Sequence, residues 1–169
     1  MRFAANVKSL AVILLFALAS AAPAHAQHTK QIISGTWYED RAFSSSSPAT
    51  DTFLTFTQTP ANKFLNITLV SCSISSLSNQ ILADVILQVG SETADMGRPQ
   101  SVRGAASTAS NLPGFTNYYS VVSQTYYKVG PGRFPGLQIL APYASSSGSG
   151  GYVNFVTANC TIVGNLSDN

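Results

Sequence analysis

Charge is scarce in this sequence: nine Lys and Arg and seven Asp and Glu stand among 169 residues, 9% in all. Two of the basic residues, Arg2 and Lys8, lie at the extreme N-terminus, and from Gln27 onward seven basic and seven acidic side chains cancel. Without a basic stripe the chain lacks the footprint by which proteins hold a phosphate backbone, so nucleic acid is not an expected partner. Histidine is scarcer still, with only His25 and His28. A Ser-His-Asp or Cys-His set needs an imidazole held rigidly by the fold, and a zinc site needs several Cys or His ligands. This chain offers neither, so no catalytic residues, no metal and no cofactor are expected. The glycine-containing stretches, such as Gly130-Pro131-Gly132-Arg133, lack the Lys-Ser/Thr ending of a phosphate loop. The two cysteines, Cys72 and Cys160, are far from the C-x-x-C spacing of a redox pair.

Long apolar runs are also missing, with one exception. Residues 10–22 are continuously apolar apart from Ser20, follow Arg2 and Lys8, and lead through Pro23 into Ala24-His25-Ala26. This basic, hydrophobic, small-x-small order is that of a secretory signal peptide, and the run is shorter than the ~20 residues of a membrane-spanning helix. Cleavage after Ala26 is expected, leaving a single domain over 27–169 with no membrane span. Export to the bacterial periplasm or the extracellular space follows from the same signal.

Hydroxyl side chains are abundant instead: residues 27–169 contain 21 Ser and 14 Thr. Thr favours strands and Ser favours turns, while neither favours helix interiors. Candidate strands fall at 35–38, 52–58, 63–75, 80–89, 117–129, 133–140 and 151–163, several with period-two alternation. Leu65, Ile67 and Leu69 share one face of the third segment, and Ile81, Ala83, Val85, Leu87 and Val89 one face of the fourth. A buried helical segment is the competing reading of 80–88. In the third strand the apolar parity changes from Leu65/Ile67/Leu69 to Val70/Cys72/Ile74, which predicts a bulge near Leu69-Val70 or a strand buried on both faces. Residues 41–51, with four consecutive serines, 90–116 and 142–150 read as loops. The middle one is long enough to suggest function or disorder.

In an exported chain Cys72 and Cys160, each strand-embedded among apolar neighbours, are expected to form a structural disulfide. That bond would bring the last strand beside an early one, as Greek-key or jelly-roll connectivity does. The expected fold is therefore an all-β antiparallel β-sandwich with one disulfide. The stretch Thr59-Pro60-Ala61-Asn62-Lys63-Phe64-Leu65-Asn66-Ile67, with Val70-Ser71-Cys72 and the closing Cys160-Thr161-Ile162-Val163-Gly164-Asn165-Leu166, resembles small exported bacterial β-sandwich proteins of unknown function. The resemblance spans about 30 residues and implies the fold but no activity. Asn62 stands where that turn usually carries glycine.

The most suggestive side chains are aromatic. Tyr118-Tyr119 and Tyr126-Tyr127 form two doublets in one segment, so Tyr118 and Tyr126 share one face of a strand and Tyr119 and Tyr127 the other. The exposed pair, with Trp37 and Tyr38 or Tyr143 and Tyr152, would make a platform for sugar rings or a partner protein. Packing under the long loop or along a sandwich edge is the structural alternative. The function expected is an exported, non-catalytic domain that binds a glycan or envelope protein through tyrosines and loops. The alternatives are a small secreted hydrolase using the loop carboxylates Glu92 and Asp95, which would also be the pair to ligate calcium, and a purely structural envelope protein.

Overall fold

Alternating apolar and hydroxyl residues carry this chain into strands throughout, and among the residues described there is no helix. The computed structural model describes residues 29–33, 35–92, 96–102, 110–112, 116–143 and 154–168. The expected signal peptide, His28, Asp95, Arg103 and Tyr152 lie outside them. Ten strands follow in order: β1 (Thr29–Ile33), β2 (Trp37–Ser46), β3 (Asp51–Thr55), β4 (Lys63–Leu77), β5 (Asp84–Gly90), β6 (Met96–Ser101), β7 (Ser110–Leu112), β8 (Thr116–Val129), β9 (Phe134–Leu140) and β10 (Val156–Asp168). They form two packed antiparallel sheets, one of six strands in the order β1-β2-β10-β4-β8-β7 and one of four in the order β3-β9-β5-β6.

The terminal strand β10 lies between β2 and β4, and Cys160 faces Cys72 in register across the β10–β4 ladder. The two sulfurs are bonded and both residues are buried. The inner faces of the two sheets meet in one core, where Leu65, Ile67, Val70, Ile74 and Ile162 of the large sheet oppose Leu54, Val85, Leu87, Leu137 and Ile139 of the small one. Each such side chain contributes about 1.5–3 kcal/mol on burial.

The parity change in β4 is resolved by a bulge one residue before the expected position. Across β10, Val163 pairs with Leu69 but Gly164 pairs with Ile67, leaving Thr68 unmatched. Across β8, the register also shifts between Ile67 and Leu69. Leu65 and Ile67 before the bulge and Val70, Cys72 and Ile74 after it therefore all face the core. Gly164 is required at this crossing: a Cβ there would overlap the Asn66 carbonyl oxygen and stand 3.0 Å from the Ile67 Cα.

Three expected segments differ from the structure. The serine run expected as a loop over 41–51 is strand as far as Ser46, because hydroxyl pairs replace apolar contact: Ser44 and Ser46 each bond Thr52 on β3, at 2.7 and 2.9 Å, and Ser45 bonds Thr157 on β10 at 2.9 Å. The long segment 90–116 contains two strands, β6 and β7, both at sheet edges, where Pro99 costs no ladder hydrogen bond. The fourth candidate strand begins at Asp84 rather than at 80, with Ile81 exposed and Leu82 buried. Its start is displaced by Gln80, a fully buried side chain whose amide donates to the carbonyls of Ala49 (3.0 Å) and Ala141 (2.8 Å) and accepts from the backbone N–H of Leu77 (3.1 Å) and Phe155 (3.3 Å). Asp84, at the start of β5, is half-buried and accepts hydrogen bonds from Ser101 Oγ and its neighbour's backbone N–H.

A candidate binding face on the six-stranded sheet

Strand β8 divides its tyrosines by parity. Tyr127 is 4% exposed, and its hydroxyl donates to the Arg98 carbonyl at 2.7 Å while its ring lies 4.9 Å from the Arg98 guanidinium carbon. Burial pushes the Tyr127 hydroxyl pKa up, and the nearby Arg98 charge opposes that shift. Tyr119 packs against the core and donates to the Gln80 carbonyl at 3.2 Å. These two rings tie β8 to the rest of the sandwich. Tyr118 and Tyr126 point outward, Tyr126 at 92% exposure. They stand eight residues apart on one strand, roughly 26 Å, so they do not share a single binding spot. Tyr143 is exposed but bridges to Gln80, which places it at the Tyr118 end.

Tyr38 does not join an exposed platform. It is fully buried, and its hydroxyl donates to Asp40 Oδ2 at 3.2 Å. The same carboxylate oxygen accepts the Thr57 backbone N–H at 2.7 Å, while Asp40 Oδ1 has no hydrogen-bond partner among the described residues. Desolvation first, then the Asp40 charge and hydrogen bond, push the Tyr38 pKa far above the usual phenol range. The hydroxyl is held as a donor.

Trp37 takes the outward position that Tyr38 vacates, 42% exposed at the start of β2. The turn before it carries Gly35 at φ +71°, and the Leu166 backbone N–H donates to the Thr36 carbonyl at 2.7 Å, anchoring that turn to β10. Across the strand order β2-β10-β4-β8, Trp37 and Tyr126 border one shallow depression of about 320 Å³, whose remaining walls are Val163, Thr68, Leu69 and Gln124. Three strand spacings separate the outer two strands, roughly 14 Å. The bulge at Thr68 lies within this depression, and the Thr68 hydroxyl donates to the Val163 carbonyl at 3.4 Å. The Gln124 side-chain amide makes no hydrogen bond among the described residues. Around the depression the outward side chains are mixed: Ser71 and Thr161 stand directly opposite one another, Asn66 places its amide on Ser167 Oγ at 3.1 Å, the Glu39–Arg41 pair lies across from Val163 and Thr161, and exposed Val122 and Lys128 flank Gln124 and Tyr126 on β8.

Of the expected site residues, Trp37 and Tyr126 are thus brought together, Tyr118 and Tyr143 stand elsewhere, and Tyr119 and Tyr127 are structural. Leu69, Val163, Thr68 and Gln124 were not singled out in the sequence. The change of parity in β4 was the available signal for the first and third. Adjacent Glu39 and Asp40 point to opposite faces: Asp40 is buried, and Glu39 meets Arg41 at 3.5 Å. Glu92 is exposed, and its expected companion Asp95 lies outside the described residues. Among the described residues no group of three or more His, Cys, Asp or Glu gathers. None of these residues is part of a helix long and apolar enough to cross a membrane. No protein-family model and no curated protein matches the chain.

Proposed function

We propose that the protein is an exported, non-catalytic β-sandwich domain that binds a carbohydrate chain on the outer face of its six-stranded sheet. The observation that carries this reading is the pairing of Trp37 and Tyr126 across one shallow depression floored by Leu69 and Val163 and edged by Gln124 and Thr68. Sugar rings present C–H faces that stack on aromatic rings and hydroxyls that bond amides and other hydroxyls, and both kinds of partner are present. A protein partner would favour a broader apolar centre. Here the outward surroundings are mostly polar or charged, with Ser71, Thr161, Asn66, Glu39, Arg41 and Lys128, and Val122 is apolar among them. The scaffold is rigid sheet closed by a disulfide, which suits an oxidising compartment and limits the ordering cost of binding.

The test is binding of the purified mature protein to an array of neutral and acidic oligosaccharides, repeated with Trp37→Ala, Tyr126→Ala and Tyr118→Ala. Loss of either bordering ring should weaken binding by about 1–2 kcal/mol, roughly ten-fold, while Tyr118→Ala changes little. Equal binding by all four proteins, or binding only to an envelope protein, would refute the carbohydrate reading.

A further inference from the structure

Beside the aromatic depression lies a second cleft, of about 390 Å³, where the β5–β6 and β8–β9 connections meet. Arg98 and Arg133 line it together with Gly90, Gly97 and Gly130, whose lack of side chains leaves backbone open to a ligand. Arg98 is the only non-glycine among the described residues with positive φ, at +50°. It sits in a bulge of β6, where Leu87 pairs with Gln100 but Val89 pairs with Gly97. Such a conformation persists only when its surroundings hold it, and strain of this kind gathers at functional positions. Here Tyr127 supplies the hold through its hydroxyl on the Arg98 carbonyl and its ring beneath the guanidinium, and Arg98 Nη1 donates to the Lys128 carbonyl at 3.0 Å. One direction of the guanidinium is thereby fixed and its other N–H donors remain unused by described residues.

The second arginine is positioned by its backbone: its N–H meets Thr59 Oγ1 at 3.0 Å and its carbonyl accepts the Thr59 N–H at 2.9 Å. The Arg133 side chain is exposed and makes no bond among the described residues. The other described cations also have partners, as Arg98 does in the Tyr127 ring and the Lys128 carbonyl. Arg41 meets Glu39, Lys63 meets Asp168, and Lys30 and Lys128 lie over the rings of Tyr38 and Phe64. Glu92, exposed two residues beyond Gly90, forms no ion pair with either arginine. Two guanidinium groups that form no ion pair among the described residues line one cleft, in a chain whose charges balance from Gln27 onward, and together they suit an oxyanion.

The cleft adjoins the aromatic row. Lys128, whose carbonyl holds Arg98, is the next outward residue after Tyr126 on β8, roughly 7 Å along the strand. We infer that the ligand is an acidic glycan, whose sugar rings cross the strands over Trp37 and Tyr126 and whose carboxylate or sulfate group enters the cleft between Arg98 and Arg133. The inference rests on the carbohydrate reading above and adds the ligand's charge.

Matched probes separate the two. Alginate and hyaluronan oligosaccharides are compared with their carboxyl-reduced forms, and dextran sulfate with dextran, on the full mature protein and on Arg133→Gln, Trp37→Ala and Tyr126→Ala. One acidic probe should bind about ten-fold or more tighter than its uncharged counterpart, and added salt should narrow that ratio. Arg133→Gln should bring the ratio close to one while leaving the uncharged probe's affinity and the melting temperature unchanged. The carboxylate and sulfate arms tell which group is preferred. A ratio of one in the unaltered protein, or a ratio that Arg133→Gln leaves intact, overturns the acidic-ligand inference even if the ring variants weaken binding. A ratio that Arg133→Gln abolishes while the ring variants bind normally removes the aromatic platform and keeps the cleft. Absence of binding to every probe overturns both.

Discussion

Two adjacent tyrosines illustrate how one step along a strand changes a residue's energetic role. Tyr126 stands almost wholly in solvent, whereas Tyr127 fills core space and holds the Arg98 carbonyl. Tyr127→Ala should therefore cost about 3–5 kcal/mol through the cavity and the lost hydrogen bond, and Tyr126→Ala less than about 1 kcal/mol. Chemical denaturation of the two variants checks the difference, and similar losses would contradict the parity assigned to β8. Tyr38 carries a second residue-level consequence. Its folded-state pKa lies above the ordinary value of about 10 that it regains on unfolding, so below pH 10 both states keep the proton. Above pH 10 the unfolded state loses it first, and stability falls as pH rises. Burial of Tyr127 acts in the same direction. Melting temperature should hold through neutral pH and drop above about pH 10, and Tyr38→Phe, less stable at neutral pH, should show a shallower alkaline drop. A parallel curve for Tyr38→Phe would sink this assignment.

At the scale of elements, the bulge in β4 keeps both halves of a 15-residue strand buried on the same face. It also makes the outer face of the sheet irregular, since Thr68 and Leu69 line the depression. Gly164 is the partner that permits the crossing. Gly164→Ala would push a methyl group into the Asn66 carbonyl, and because that obstacle is backbone, relief requires the strands to separate. The expected cost is about 3 kcal/mol, measurable by urea denaturation, with weakened ligand binding because the floor of the depression shifts. An unaffected Gly164→Ala protein would mean the register at the bulge is different. Gln80 is the corresponding device at the other end of the sandwich. Its single side chain satisfies backbone groups before β3, at the end of β4, after β9 and before β10, so four connections share one polar anchor.

For the whole molecule, the Cys72–Cys160 bond joins residues 88 apart in sequence on neighbouring strands of the sheet that carries the proposed binding face. Cys72→Ser should cost about 2–5 kcal/mol, read as a lower midpoint in denaturant, and reduction of the native protein should do the same. Insensitivity of the midpoint to reductant would argue that packing alone sets stability. The all-β class, the disulfide, the parity of the tyrosine doublets and the bulge were legible in the sequence, because each depends on local alternation or on a residue type with few available roles. The strand nature of the serine run, and β6 and β7 within 90–116, were not. Their stability comes from hydroxyl pairs and ladder bonds to strands distant in the chain, which leave no local hydrophobic period. The candidate site was partly legible: Trp37 and the tyrosine doublets stood out and the parity paired Tyr126 with Tyr118, but which pair faces outward, and the meeting of Trp37 with Tyr126, required β10 and β4 to lie between β2 and β8. That order is decided by which inner faces pack together in the core, and residues 89 apart in sequence come to share one surface only through it.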